Sequence, residues 1–144
     1  MVEPDPARRA LARRLGARQV SAPEEADATG DTYAAAFECS SRDSAFALLQ
    51  ARLRPGGRLC IVADGNVEPL TLTPAFHAKE LLVVGSSDGW DYQAHATWYF
   101  DVLRHDRRDL AQIFDLEVSA DELPTTFEHL AADRRTAIKV FVHY

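Results

Sequence analysis

The feature that most constrains this chain is an alternation between two periods. Short apolar runs of strand length stand at residues 34–39, 59–63, 81–84 and 138–142, and stretches with helical spacing lie between them. Leu59-Cys60-Ile61-Val62-Ala63 and Leu81-Leu82-Val83-Val84 are continuous apolar runs, the kind that fill a parallel sheet covered on both faces. Strands alternating with helices predict an α/β chain with a mainly parallel sheet and helices on both faces.

The helical stretches carry their own punctuation. Pro4-Asp5-Pro6 is a start signal: Asp5 can cap and Pro6 presets the first helical position. Ala7, Leu11 and Leu15 follow on one face, and Gly16 is a left-handed stop. Gln19-Val20 reads as a short strand, and 34–39 as a strand with Phe37 and Cys39 on one side. Residues 41–54 read as a helix carrying Ala45, Leu48, Leu49 and Leu53, ended by Pro55-Gly56-Gly57. A short helix is expected over 74–79, and a longer one over 91–104 with Tyr92, Ala96, Tyr99 and Leu103 on one stripe. A strand at 115–118, a helix over 120–133 and a closing strand at 138–142 complete the pattern.

With 144 residues the chain is expected to form a single domain, 1–144, large enough for a real core. Hydrophobic residues make up 47% and charged residues 26%, which argues against disorder. The longest apolar runs, about five residues, fall far short of a membrane span. The first residues hold no apolar stretch behind Arg8 and Arg9, so they do not read as a secretory signal, and a cytoplasmic location is expected. A net charge of −6 argues against a nucleic-acid binder, and the arginines at 8, 9, 13, 14, 104, 107 and 108 are interspersed with acids, as on solvated helix faces. Cys39 and Cys60 show no metal spacing and read as reduced, buried thiols. His77, His95, His105, His129 and His143 are scattered, without ligand spacing.

In open parallel sheets, ligands bind beyond the carboxyl ends of the strands. There the chain carries Glu3 after Val2, Glu38-Cys39-Ser40-Ser41 after Phe37, Ala63-Asp64-Gly65 after Val62, and Gly85-Ser86-Ser87 after Val84. Small or acidic residues of this kind let a flat ligand approach the backbone, although any loop is rich in Gly, Ser and Asp.

Several segments, in order, resemble the medium-chain dehydrogenase/reductases, the zinc-type alcohol and polyol dehydrogenase superfamily. Residues 2–17 resemble that family's second sheet strand and the helix after it. Phe37-Glu38-Cys39-Ser40 is similar to its Phe-Glu-Cys-Thr/Ser-Gly strand end, and Leu53-Arg54-Pro55-Gly56-Gly57-Arg58 to the turn into its fifth strand. Lys79-Glu80-Leu81 with Val84-Gly85-Ser86 resembles its sixth strand, and Ala137-Ile138-Lys139-Val140 its C-terminal strand. The resemblance implies a Rossmann-like fold that lacks the first strand and the Gly-rich turn: the later part of the cofactor domain plus the C-terminal return segment. The zinc-holding catalytic domain has no counterpart here, so zinc belongs to the intact relatives and this chain carries no ligands for it. In the strand order 3-2-1-4-5-6 the absent strand is the central one. Strands 2 and 4 then close up, or the strand at Val2 frays and strand 4 becomes an edge, or another chain fills the gap.

The resemblance implies NAD as the cofactor, bound weakly or no longer bound, and assigns residues to it. Glu3 matches the acid that accepts hydrogen bonds from the adenosine ribose, which favours NAD over NADP; an exposed acid near the terminus is the alternative. Arg8 matches a basic position near the same ribose, or is a solvent-facing helix arginine. Cys39 and Ser40 match positions along the cofactor, with packing as the plain account of Cys39. Ala63, Asp64, Ser86 and Ser87 match loops whose backbone meets the nicotinamide end, and Lys139 falls near a basic residue that reaches the pyrophosphate or is a structural strand lysine. Asp64 replaces a small apolar residue and Ser41 a glycine. The aromatic segment from Trp90 to Phe100 reads as helix packing on the sheet.

These readings give a truncated NAD-dependent alcohol or polyol dehydrogenase, inactive by itself, whose intact relative oxidises a secondary alcohol. The alternative is a non-catalytic binding or assembly module built from a dehydrogenase; a true start upstream of Met1 is a third account. The strand at 81–84, apolar and without lysine or proline, invites edge pairing. A homodimer through residues 81–87 is expected, matching the two-fold pairing common among related dehydrogenases.

Overall fold

A computed structural model describes the chain apart from residues 27–32, 65–67, 88, 90, 107–108 and 134–136. Gly65, Trp90, Arg107 and Arg108, named above, lie outside the described residues. The described elements, in order, are α1 (Pro6–Arg14), α2 (Pro23–Ala26), β1 (Tyr33–Glu38), α3 (Asp43–Arg52), β2 (Leu53–Ile61), α4 (Pro74–Ala78), β3 (Leu82–Gly85), α5 (Tyr92–His105), β4 (Phe114–Ser119), α6 (Leu123–Ala132) and β5 (Lys139–His143). They gather in two compact units, residues 21–105 and residues 1–20 with 106–144. All strand pairs described are parallel, so the α/β, Rossmann-like reading holds.

The 21–105 unit is built on a three-stranded sheet in the order β1-β2-β3. Helix α3 connects β1 to β2 and α4 connects β2 to β3, as parallel pairing requires. Phe46, Leu53, Leu59 and Leu81 form the core, with Ala36, Leu49, Ile61, Leu70, Phe76 and Val83 against it. Each fully buried Leu or Phe contributes about 1.5–3 kcal/mol over an exposed one. In register, Phe37 pairs with Cys60 and Cys60 with Val84. Phe37 and Val84 are exposed, so the apolar side chains on this face of the sheet meet solvent while the Ala36, Leu59 and Val83 row meets the core.

Helix α3 has no side-chain cap of its own. Its ends are closed from other segments: the Glu68 carboxylate accepts the Asp43 N–H at 2.9 Å, and Lys79 Nζ donates to the carbonyls of Ala51 at 2.6 Å and Leu53 at 2.9 Å. An anion at the N-terminus and a cation at the C-terminus both complement the helix dipole.

The other unit pairs β4 with β5. Asp5 caps α1 by accepting the N–H groups of Ala7 at 2.7 Å and Arg8 at 3.0 Å, and Pro6 opens the helix, as expected. Gly16 takes φ 91°, the left-handed stop. Leu11 is buried, whereas Ala7 is exposed. Phe114 and Phe141 stack edge to face across β4 and β5 at 6.2 Å.

Several local expectations are corrected. Gln19-Val20 is not a strand, and Val2 makes only a single bridge rather than a strand. That single bridge, with one described neighbour for β1, agrees with the alternative in which the strand at Val2 frays and strand 4 becomes an edge. Helix α3 ends at Arg52, and Pro55-Gly56-Gly57 lies inside β2 at an irregularity, where the register steps from Tyr33↔Leu53 to Ala35↔Arg58. Gly56 supplies the positive φ of 69° that this bulge needs, and its N–H reaches the Lys79 carbonyl at 2.7 Å. The buried face of α3 is Phe46 and Gln50, not Ala45 and Leu48. The helix expected over 120–133 begins as a 3₁₀ turn, Ala120–Glu122, closed by a Ser119–Glu122 capping box. Helix α5 buries none of its residues; Tyr92, Trp98, Tyr99 and Phe100 are all exposed. Its aromatics at three consecutive positions spread over more than half the helix circumference, and one sheet face cannot cover them all.

Candidate functional site

The carboxyl ends of β1, β2 and β3 lie side by side, and the loops leaving them bring six of the expected site residues to one edge: Cys39 and Ser40, Ala63 and Asp64, Ser86 and Ser87. Ala63 is half-buried and the other five are exposed. Cys39 is thus corrected from a buried to an exposed thiol, because the pleat turns Glu38 inward instead. Partial burial first, then the Glu38 carboxylate and then Cys60, push the Cys39 thiol above its ordinary pKa.

Glu38 is the organiser of this edge. It is 1% exposed. Its Oε1 accepts the Ser40 N–H at 2.7 Å and the Ser40 hydroxyl at 2.5 Å, and its Oε2 accepts the Ser41 N–H at 3.2 Å. Its carbonyl accepts the N–H groups of Val62 at 2.8 Å and Ala63 at 3.1 Å, which ties the end of β2 to the end of β1. Ser41 sits at φ 59°, the left-handed conformation that glycine adopts without cost, and its hydroxyl reaches the Asp64 carbonyl at 3.4 Å. The third strand end is held by the Ser86 N–H on the Ile61 carbonyl at 2.8 Å. Sequence reasoning named Glu38 only as part of a strand end. The available signal was a carboxylate two residues before a Ser-Ser pair, within reach of the turn's own N–H groups.

Glu3, Arg8 and Lys139 belong to the other unit. The Glu3 Oε1 accepts the Asp5 N–H at 2.9 Å, and the Arg9 guanidinium donates to the carbonyls of Glu3 at 2.7 Å and Pro4 at 2.6 Å. The turn therefore fixes Glu3, half-buried, at the entry to α1. Arg8 is half-buried in the first turn of that helix. Lys139 opens β5, exposed, with its backbone N–H and that of Ile138 both on Asp115 Oδ1, at 3.3 and 2.8 Å.

Zinc does not fit the residues present: among the described residues no three His, Cys, Asp or Glu side chains gather to hold a metal ion. NAD fits in part. The edge at 39–40, 63–64 and 86–87 offers small side chains and backbone to a flat ring, while the N–H groups of Ser40 and Ser41 are already taken by Glu38. No helix among the described residues is long and apolar enough to cross a membrane.

No protein-family model matches the sequence, and no curated protein matches it. Solved structures do match. Benzyl alcohol dehydrogenase of Acinetobacter calcoaceticus superposes with a TM-score of 0.81 at 14% identity, over 98% of this chain and 41% of that one. 2R,3R-butanediol dehydrogenase of Bacillus subtilis gives 0.77 at 20% identity, over 99% and 42%. An alcohol dehydrogenase of Thermus sp. ATN1 gives 0.77 at 21% identity, over 98% and 43%. The chain has the fold of the alcohol and polyol dehydrogenases over about two-fifths of their length. Sequence resemblance and structural likeness point to the same group of proteins.

Proposed function

We propose that residues 1–144 are the later part of the NAD-binding domain of a zinc-type alcohol or polyol dehydrogenase, with the C-terminal return segment, located in the cytoplasm. The observation that carries this reading is the coverage: nearly all of this chain superposes on about two-fifths of each dehydrogenase. The loop edge at the carboxyl ends of β1, β2 and β3 lies where open parallel sheets bind their ligands. Bound NAD accepts a hydride, which in the intact relative of this chain would come from a secondary alcohol carbon.

The chain's own residues have narrower tasks. Within the 21–105 unit, Cys39, Ser40, Ala63, Asp64, Ser86 and Ser87 border the nicotinamide end; for Glu3, Arg8 and Lys139, in the other unit, the family resemblance implies ribose and pyrophosphate roles. Glycine-rich phosphate binding at a helix N-terminus, the main source of dinucleotide affinity, has no counterpart in the sequence. Weak affinity is therefore expected, and with no zinc donor set among the described residues the 144 residues alone are not expected to oxidise alcohols. The test is a hydride-transfer assay of the purified chain with NAD, added zinc and a broad alcohol panel. No turnover above background is expected, and turnover overturns the reading.

A second reading, a non-catalytic assembly module, draws on the exposed Leu82 and Val84 of β3, an edge strand with one described neighbour. It shares with the first a homodimer through residues 81–87.

A further inference from the structure

The turn after β1 is built like an anion site whose place is already filled. Successive N–H groups of Ser40 and Ser41, with Ser41 in the left-handed region, form the concave arrangement that ordinarily binds phosphate. Here both N–H groups and the Ser40 hydroxyl point at one carboxylate, that of Glu38, and the Arg42 N–H closes onto the Ser40 hydroxyl at 3.3 Å. The glutamate reaches forward over two and three residues to do this while its backbone stays in the strand. Because Glu38 is almost wholly buried, a second anion at this turn would meet a like charge at short range with little water between.

We propose that Glu38 is a positioning and specificity-determining residue of the strand-end site: it fills the Ser40–Ser41 turn so that this edge excludes phosphate and admits an uncharged or cationic ring. The inference rests on the nucleotide reading and narrows it to the nicotinamide end. The same residue sets the geometry of the neighbouring loop, since its carbonyl holds Val62 and Ala63. The negative charge has a local reporter, because the Glu38 carboxylate is one of the groups that raise the Cys39 thiol pKa.

The test uses the full chain labelled with ¹⁵N, with inorganic phosphate and the 1-methylnicotinamide cation as separate probes at fixed ionic strength. In the unmodified chain, phosphate is expected to leave the Ser40 and Ser41 amide resonances unmoved, and 1-methylnicotinamide to shift resonances of Cys39, Ser40 and Ala63. In Glu38→Ala the vacated turn is expected to gain a phosphate-dependent shift at Ser40 and Ser41. A phosphate shift in the unmodified chain, or a folded Glu38→Ala that gains none, overturns the proposal. If Glu38→Ala does not fold, Glu38→Gln keeps the acceptor and loses the charge. Its Cys39 alkylation profile is expected to move to lower pH, and an unmoved profile overturns the proposal. Failure of 1-methylnicotinamide alone, with the phosphate results as expected, overturns the nucleotide reading and the admission of a ring, and supports Glu38 only as the group that excludes phosphate.

Discussion

The side-chain oxygen of Gln50 accepts the backbone N–H of Thr73 at 2.8 Å and its hydroxyl at 3.1 Å, inside a site where Gln50 is 0% exposed. The amide nitrogen of Gln50 donates to the carbonyls of Phe46 and Thr71 at 3.3 and 3.0 Å. One buried amide thus pins the segment before α4 to helix α3. Gln50→Leu keeps the volume and strands the Thr73 N–H and Thr71 carbonyl, a loss of about 1–3 kcal/mol. Urea unfolding is expected to show a lower midpoint with an unchanged slope; equal midpoints contradict the clamp.

Glu80 occupies φ 53° just after α4, where glycine is the residue without strain. Glu80→Gly is expected to raise stability by about 1 kcal/mol, since the left-handed conformation costs other residues roughly that much. Thermal unfolding reads the gain directly, and a fall in midpoint contradicts it.

The Asp43 N–H, and after it the Arg42 guanidinium, hold the Glu68 carboxyl below the usual carboxylate range. Its folded pKa is depressed, so its contribution is present above the unfolded value near 4.3 and is lost as pH falls through the lower folded value. The Ser119 N–H and hydroxyl act on Glu122 in the same direction. Glu68→Gln is expected to be less stable than the unmodified chain at neutral pH and to converge with it in acid. A gap in melting temperature that does not change with pH rules this out.

The sheet of the 21–105 unit was legible from its apolar runs, and α1 from Asp5, Pro6 and Gly16, because those signals are local. What escaped was set by segments distant in sequence. Helix α3 is capped by Glu68 and Lys79, so its ends carried no local mark, and Pro55-Gly56-Gly57 read as a stop when it is a bulge within β2. In the 34–39 run, the strand period placed Phe37 and Cys39 on one side, and Cys39 read as buried. The turn's need for a carboxylate instead draws Glu38 inward and leaves Phe37 67% exposed. At the candidate site the loop positions were readable from the strand ends, while the residue that organises them was not.

Leu82 and Val84 are exposed on β3, which has one described neighbour. The proposed assembly pairs this apolar edge with its copy across a two-fold axis. Leu82→Lys with Val84→Lys places like charges at such a junction and is expected to convert a dimer to a monomer in sedimentation velocity, with the far-UV spectrum retained. A monomeric unmodified chain, or a doubly substituted chain that still dimerises, excludes this strand as the interface.

The most direct test of the dehydrogenase-derived reading is an NMR titration of the full chain with NAD. The expected result is a set of fast-exchange shifts at Cys39, Ser40, Ala63, Ser86 and Ser87, with affinity in the millimolar range or weaker, about −4 kcal/mol or less favourable. Saturation at micromolar NAD, or shifts confined to the amino-terminal ends of the same strands, contradicts it.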